Sequence, residues 1–104
     1  MEGIELISFQ IISAVGSARS NYIEAISEAR NGNYDRAEEL IKEGEELFVQ
    51  GHTAHAQLIT EEANGNKTDV QLLLVHAEDQ LMSAEAFGIL AKEFVELYKK
   101  VNSK

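Results

Sequence analysis

Leu72-Leu73-Leu74-Val75-His76-Ala77-Glu78-Asp79-Gln80-Leu81-Met82 is the stretch whose reading decides the fold. Its spacing predicts the middle of a long helix. Leu72, Val75, Asp79, Met82, Ala86 and Ile89 recur at alternating steps of three and four, a heptad seam. A second seam with the same steps runs beside it through Leu74, Ala77, Leu81, Ala84, Gly88, Ala91, Val95 and Tyr98. One apolar seam packs a helix into its own bundle. A second one asks for a further partner, and for a short chain the simplest is another copy of itself. Into this strip the sequence sets His76 and Asp79, three residues apart on neighbouring turns of one face. Ionisable groups in a helix seam cost stability unless paired or neutralised, which makes them the first candidates for function.

Outward from that helix, the chain divides at two turn compositions, Asn31-Gly32-Asn33 and Asn64-Gly65-Asn66-Lys67. There is no proline. The segment before the first turn, about 4–30, carries Ile4, Ile7, Ile11, Ala14, Ala18, Ala25 and Ala29 near one stripe, widened by Ile12, Val15, Ile23 and Ile26. Between the turns, about 34–63, Asn33 is placed to cap a helix whose buried stripe is Ala37, Ile41, Gly44, Phe48, Gly51, His55 and Leu58. Glu38, Glu39, Glu43, Glu45 and Glu46 face outward. Gly44 and Gly51 lower helix propensity, and close approach of a neighbouring helix is the expected return. Thr68 and Gln71 read as a capping box opening a third helix over about 69–101, with Lys99 and Lys100 suiting its C-terminal dipole. The expected fold is all-α: a single domain over residues 1–104, an antiparallel three-helix bundle assembling with other copies through the third helix.

Composition narrows the function. Eighteen acidic residues against nine basic ones leave a formal charge of −9. Nucleic-acid binding needs clustered Lys and Arg and is not expected, nor is attraction to an anionic membrane surface. An acidic protein of this kind favours a partner with a basic docking face. The absence of cysteine removes thiolate chemistry and fits a reducing cytoplasm. Glu2 and Glu5 stand where a signal peptide would be basic, and the apolar run 72–75 is far too short for membrane insertion. The expectation is a cytoplasmic protein.

His76 is the candidate for chemistry. A neutral imidazole is abundant near pH 7 and can carry a phosphoryl group covalently. Such transfer needs mainly positioning and charge stabilisation. The sequence has no Gly-rich phosphate cradle, so side chains such as Gln80, Ser83 and Gln57 must supply donors. If the seam meets symmetry mates, several Asp79 carboxylates converge and call for a shared proton or a hard cation such as magnesium. His52 and His55 have metal-ligand spacing without a third ligand on their helix. Two further readings therefore stand beside phosphoryl transfer. One is a metal-binding bundle using His52, His55, His76 and Asp79; the other is a structural oligomer whose polar seam residues set register.

Larger patterns add a resemblance. Ala14-Val15-Gly16-Ser17-Ala18-Arg19-Ser20, Glu24-Ala25, Asn31-Gly32, Ala37, Glu62-Ala63-Asn64-Gly65, His76-Ala77-Glu78-Asp79-Gln80-Leu81-Met82 and Glu96-Leu97-Tyr98-Lys99 together resemble the lactose/cellobiose-type enzyme IIA of the bacterial sugar phosphotransferase system. The resemblance spans nearly the whole chain, and the His76–Met82 motif is its most specific part. It implies a homotrimer of three-helix subunits. It also implies that a histidine at the place of His76 accepts phosphoryl from phospho-HPr and passes it to a cysteine of the cognate IIB component. IIB then phosphorylates a disaccharide such as cellobiose or lactose entering through the membrane component. The aspartate at the place of Asp79 is implied to lie near the three-fold axis with a divalent cation. The chain departs from the usual His-x-Gln-Asp-His-Leu-Met at Glu78 and Gln80, and has His55-Ala56 where Gln-Thr is common. Nucleophile and metal position are intact; the donors around the phosphoryl group differ.

Overall fold

A computed structural model describes residues 3–104, so Glu2, counted above in the acidic start, lies outside the described residues. Three helices follow one another: α1 (Ile4–Arg30), α2 (Tyr34–Ala63) and α3 (Leu72–Asn102). The first two boundaries match the sequence reading. α1 and α2 end in the same way, on a glycine with positive φ, Gly32 at 84° and Gly65 at 90°. At each end the backbone forms a Schellman motif. Gly32 N–H donates to Ala29 O and Asn33 N–H to Glu28 O, as Gly65 donates to Glu62 O and Asn66 to Glu61 O. The side chains repeat as well, Asn33 Nδ2 donating to Glu28 Oε2 at 3.0 Å and Asn66 Nδ2 to Glu61 Oε2 at 2.8 Å.

Two expectations about helix starts need correction. Asn33 occupies the N-cap position of α2, yet its side chain makes no cap bond because it is turned back onto Glu28. The capping box at Thr68 does not form, and α3 begins three residues later than expected. The amide of Gln71 that should reach back to Thr68 donates instead to Asp69 Oδ2 at 3.2 Å. Gln71 stays extended, and its carbonyl accepts from the amides of Leu74 and Val75 as the helix starts.

The helices run up, down and up in a bundle of 57 × 24 × 19 Å. α1 packs broadly on both other helices, whereas α2 and α3 meet less closely. The wider α2–α3 seam is bridged by Lys99–Glu38 at 2.7 Å, Lys92–Glu45 at 3.1 Å and His55–Glu78 at 3.8 Å. Tyr22 of α1 is the centrepiece of the larger core cluster, and periodicity alone passed over it. A Cβ at Gly44 would lie 2.7 Å from Tyr22 Cε1, and one at Gly88 would lie 3.0 Å from Cε2 and Cζ. The two bare positions make the slot for the ring. Gly51 does the same for Val15, whose Cγ1 would be 2.5 Å from an added Cβ. The glycines in the helix stripes thus admit side chains of α1 rather than merely drawing backbones together.

Other stripe residues fall as expected, with one exception on α1. Ile23 is half exposed, because the inward position on that turn is held by Tyr22. At the end where α1 and α3 finish, Tyr34 Oη donates to Tyr98 O at 3.3 Å and accepts from Asn102 Nδ2 at 2.8 Å, and Asn102 also reaches Ala29 O. This clasp ties all three helices together. No helix among the described residues is long and apolar enough to cross a membrane.

Candidate functional site

The two seams of α3 separate cleanly. Leu74, Ala77, Leu81, Ala84, Gly88, Ala91 and Val95 are all buried in the bundle. The other seam lies open: Leu72 is 85% exposed, Met82 62% and Ile89 60%, with Asp79 among them. Large apolar side chains held out together on one helix face mark a candidate interaction surface. His76 stands at its edge, exposed, in the second turn of α3.

An open hollow of about 640 Å³ surrounds the pair, lined by Val70, Leu72, Val75, His76, Glu78, Asp79 and Met82. It holds two carboxylates and an imidazole, and no Lys or Arg. At 100° per residue, Gln80 and Ser83 follow His76 along the flank of α3 that faces α1, while Glu78 lies about 200° round, on the flank that faces α2. Ser83 Oγ is engaged there, accepting from Arg19 Nη1 of α1 at 3.4 Å. Gln57, the third expected donor, is exposed on α2. Glu78 is turned toward α2, its Oε1 3.8 Å from His55 Nε2.

His52 and His55 part company as their spacing allowed. His55 is mostly buried against α3, whereas His52 is exposed with its ring 6.0 Å from that of Phe48. The reading of His52, His55, His76 and Asp79 as one metal site is corrected here. Among the described residues no three His, Asp or Glu side chains come together to hold a cation within one chain. The reason is geometric: His52 points outward from α2, and Asp79 projects from the opposite, unpaired face of α3. A cation at Asp79 needs carboxylates from further copies. The sequence reading also missed Arg19 and the meeting of His55 with Glu78. Burial of His55 on its stripe was visible in the periodicity; what it faced was not.

Comparison with known proteins gives this arrangement a context. Residues 6–99 match the family described as PTS system, lactose/cellobiose specific IIA subunit. The lichenan-specific phosphotransferase enzyme IIA component of Bacillus subtilis is 40% identical over 100 residues, covering 96% of this chain and 91% of that protein. The crystal structure of the PTS cellobiose-specific enzyme IIA from Bacillus anthracis superposes with a TM-score of 0.95 at 39% identity, covering all of this chain and 96% of that one. A IIA(chitobiose)–HPr complex solved in solution contains a similar chain, with a TM-score of 0.85, 27% identity, and coverage of 98% and 99%.

Proposed function

Since the chain belongs to the lactose/cellobiose-specific IIA family of the phosphotransferase system, we propose that His76 is its phosphoryl carrier, loaded by phospho-HPr and discharged to a cognate IIB component in the cytoplasm. The observation that carries this reading is the position of His76: an exposed imidazole on α3, beside an open apolar seam and an aspartate with no ion-pair partner among the described residues. A similar IIA chain is known in complex with HPr, which supports the donor.

In the loading step a ring nitrogen of His76 attacks phosphorus as the donor's bond to phosphorus breaks, so one bond replaces another and no water is consumed. The helix holds the imidazole in place, and its exposure lets a partner's phosphoryl group approach in line. Discharge reverses the geometry: a cysteine of IIB attacks, and His76 is left free. The terminal acceptor would be a disaccharide such as cellobiose or lactose, handled by IIB and the membrane component.

The exposed seam is read as the contact of a homotrimer around α3. Covering Leu72, Val75, Met82 and Ile89 removes apolar surface from water, and the same contact gathers the Asp79 carboxylates near one axis. Three oxygen ligands of that kind fit a hard divalent cation such as magnesium, which would supply charge neutralisation between copies. Incubating the protein with enzyme I, HPr and phosphoenolpyruvate tests the assignment. An acid-labile, base-stable phosphate on the wild type that is absent from His76→Gln supports it; labelling of His52 or His55 in that variant would refute it.

A further inference from the structure

Phosphoryl transfer through this site meets an electrostatic difficulty. The hollow beside His76 has Asp79 near its middle, Glu78 at its far edge on the α2 side, and no Lys or Arg, while a phosphoryl group brings two further negative charges. Asp79 has a place in the seam between copies. Glu78 has none, and its long side chain, about 200° round the helix from His76, repels the incoming group more the further its carboxylate swings across the hollow.

The structure contains a restraint on that motion. Residue 78 lies on the α2 flank of α3, and its Oε1 is 3.8 Å from His55 Nε2. His55 is a fixed anchor: its side chain is only 19% exposed, on the inward stripe of α2, whereas the Glu78 side chain is 46% exposed. Among the described residues no Lys or Arg pairs with Glu78, and no other carboxylate approaches His55. An imidazole N–H at this range attracts a carboxylate, and an imidazolium does so more strongly.

We propose that His55 is a positioning residue of the phosphoryl site, holding the Glu78 carboxylate on the α2 side of α3 and so keeping its charge off the phosphoryl group carried at His76. The inference rests on the assignment of His76 as carrier. It assigns His55 no contact with the reacting atoms; its effect passes entirely through Glu78.

That restriction gives the test its form. The full-length protein, His55→Gln, Glu78→Gln and the double variant are loaded from phospho-HPr, and the rate of acceptance is followed together with the thermal midpoint of each. Releasing Glu78 by His55→Gln slows acceptance about two- to fivefold, the range of a weak, half-exposed polar contact. In the Glu78→Gln background the same substitution has no effect, since there is no charge left to restrain. Rescue of this kind is not produced by a packing defect at His55, which would slow both backgrounds alike. An equal slowing in both backgrounds, or none in either, overturns the proposal while leaving His76 as carrier. Failure of the wild type to accept phosphate overturns both.

Discussion

Replacing Gly44 with alanine places a methyl group where the ring of Tyr22 already lies. The added Cβ would sit 2.7 Å from Cε1, 3.0 Å from Cδ1 and 3.2 Å from Cζ, against an ordinary carbon–carbon contact of about 3.5–4.0 Å. The ring must therefore retreat by about 1 Å. On the opposite side lies Gly88, where the ring already passes 3.0 Å from a would-be Cβ. Overpacking of this degree costs roughly 1–3 kcal/mol, and the better helix propensity of alanine returns about 1 kcal/mol. The net loss is up to about 2 kcal/mol, and each kcal/mol lowers the melting temperature of a domain this size by roughly 4–8 °C. Gly44→Ala together with Gly88→Ala closes the slot from both sides, so the double variant loses more than the sum of the singles. Thermal melts at one fixed protomer concentration read the effect, since self-association shifts apparent stability. Tyr22→Leu supplies the control: with the ring gone, both alanines become neutral or stabilising. If Gly44→Ala were as costly in that background, the slot would not be the cause.

Four other outcomes are expected. His76→Gln folds with wild-type helicity by circular dichroism and takes no label in the phosphorylation assay. On the proposed trimer and its cation, Asp79→Leu completes the apolar seam, so sedimentation equilibrium finds three-chain assembly kept or strengthened, and chelation lowers the melting temperature of the wild type only. Tyr34→Phe removes the donor to Tyr98 O and the acceptor of Asn102, costing roughly 0.5–1.5 kcal/mol in denaturant titration. Burial, and then the nearby Glu45 carboxylate, raise the Tyr22 phenol above its ordinary value. In the range just above about pH 10 the unfolded chain gives up a proton that the folded chain keeps. Stability therefore falls as pH rises through that window. Tyr22→Phe flattens that part of the pH profile of the denaturant midpoint, whereas an unchanged slope would show that another group is responsible.

Most of the fold was legible because it depends on period and punctuation. The two Asn-Gly-Asn turns marked the ends of α1 and α2 to the residue, since only glycine serves at the left-handed position there. The buried seam of α3 was read in full for a similar reason, its steps being those of a packed helix. Tyr22, four residues after Ala18 and three before Ala25, lies on the buried α1 face, but a tyrosine carries a hydroxyl and reads as surface until its slot against Gly44 and Gly88 is known. The start of α3 was misread because Gln71 had two possible partners, and local sequence does not say which a side chain will choose. At the site, His76 and Asp79 stood out as polar residues in an apolar register. Glu78 and His55 lie twenty-three residues apart in the chain; only the antiparallel return of α3 along α2 brings them together.

The two ends of the bundle are fastened unequally. At one, Tyr34, Asn102 and Lys99 knit three helices with bonds of 2.7 to 3.4 Å. At the other, the three-residue turn of the clasped end is answered by an eight-residue connection, 64–71, and the cross-link between α2 and α3 is the 3.8 Å approach of His55 to Glu78. Local opening starts where the fewest bonds must break. Amide protons in the last turns of α2 and the first turns of α3 should accordingly exchange with solvent ahead of those near Tyr34, in a gradient running down the long axis. His76, in the second turn of α3, lies toward that less fastened end, and the clasp at the other end holds the helices in register.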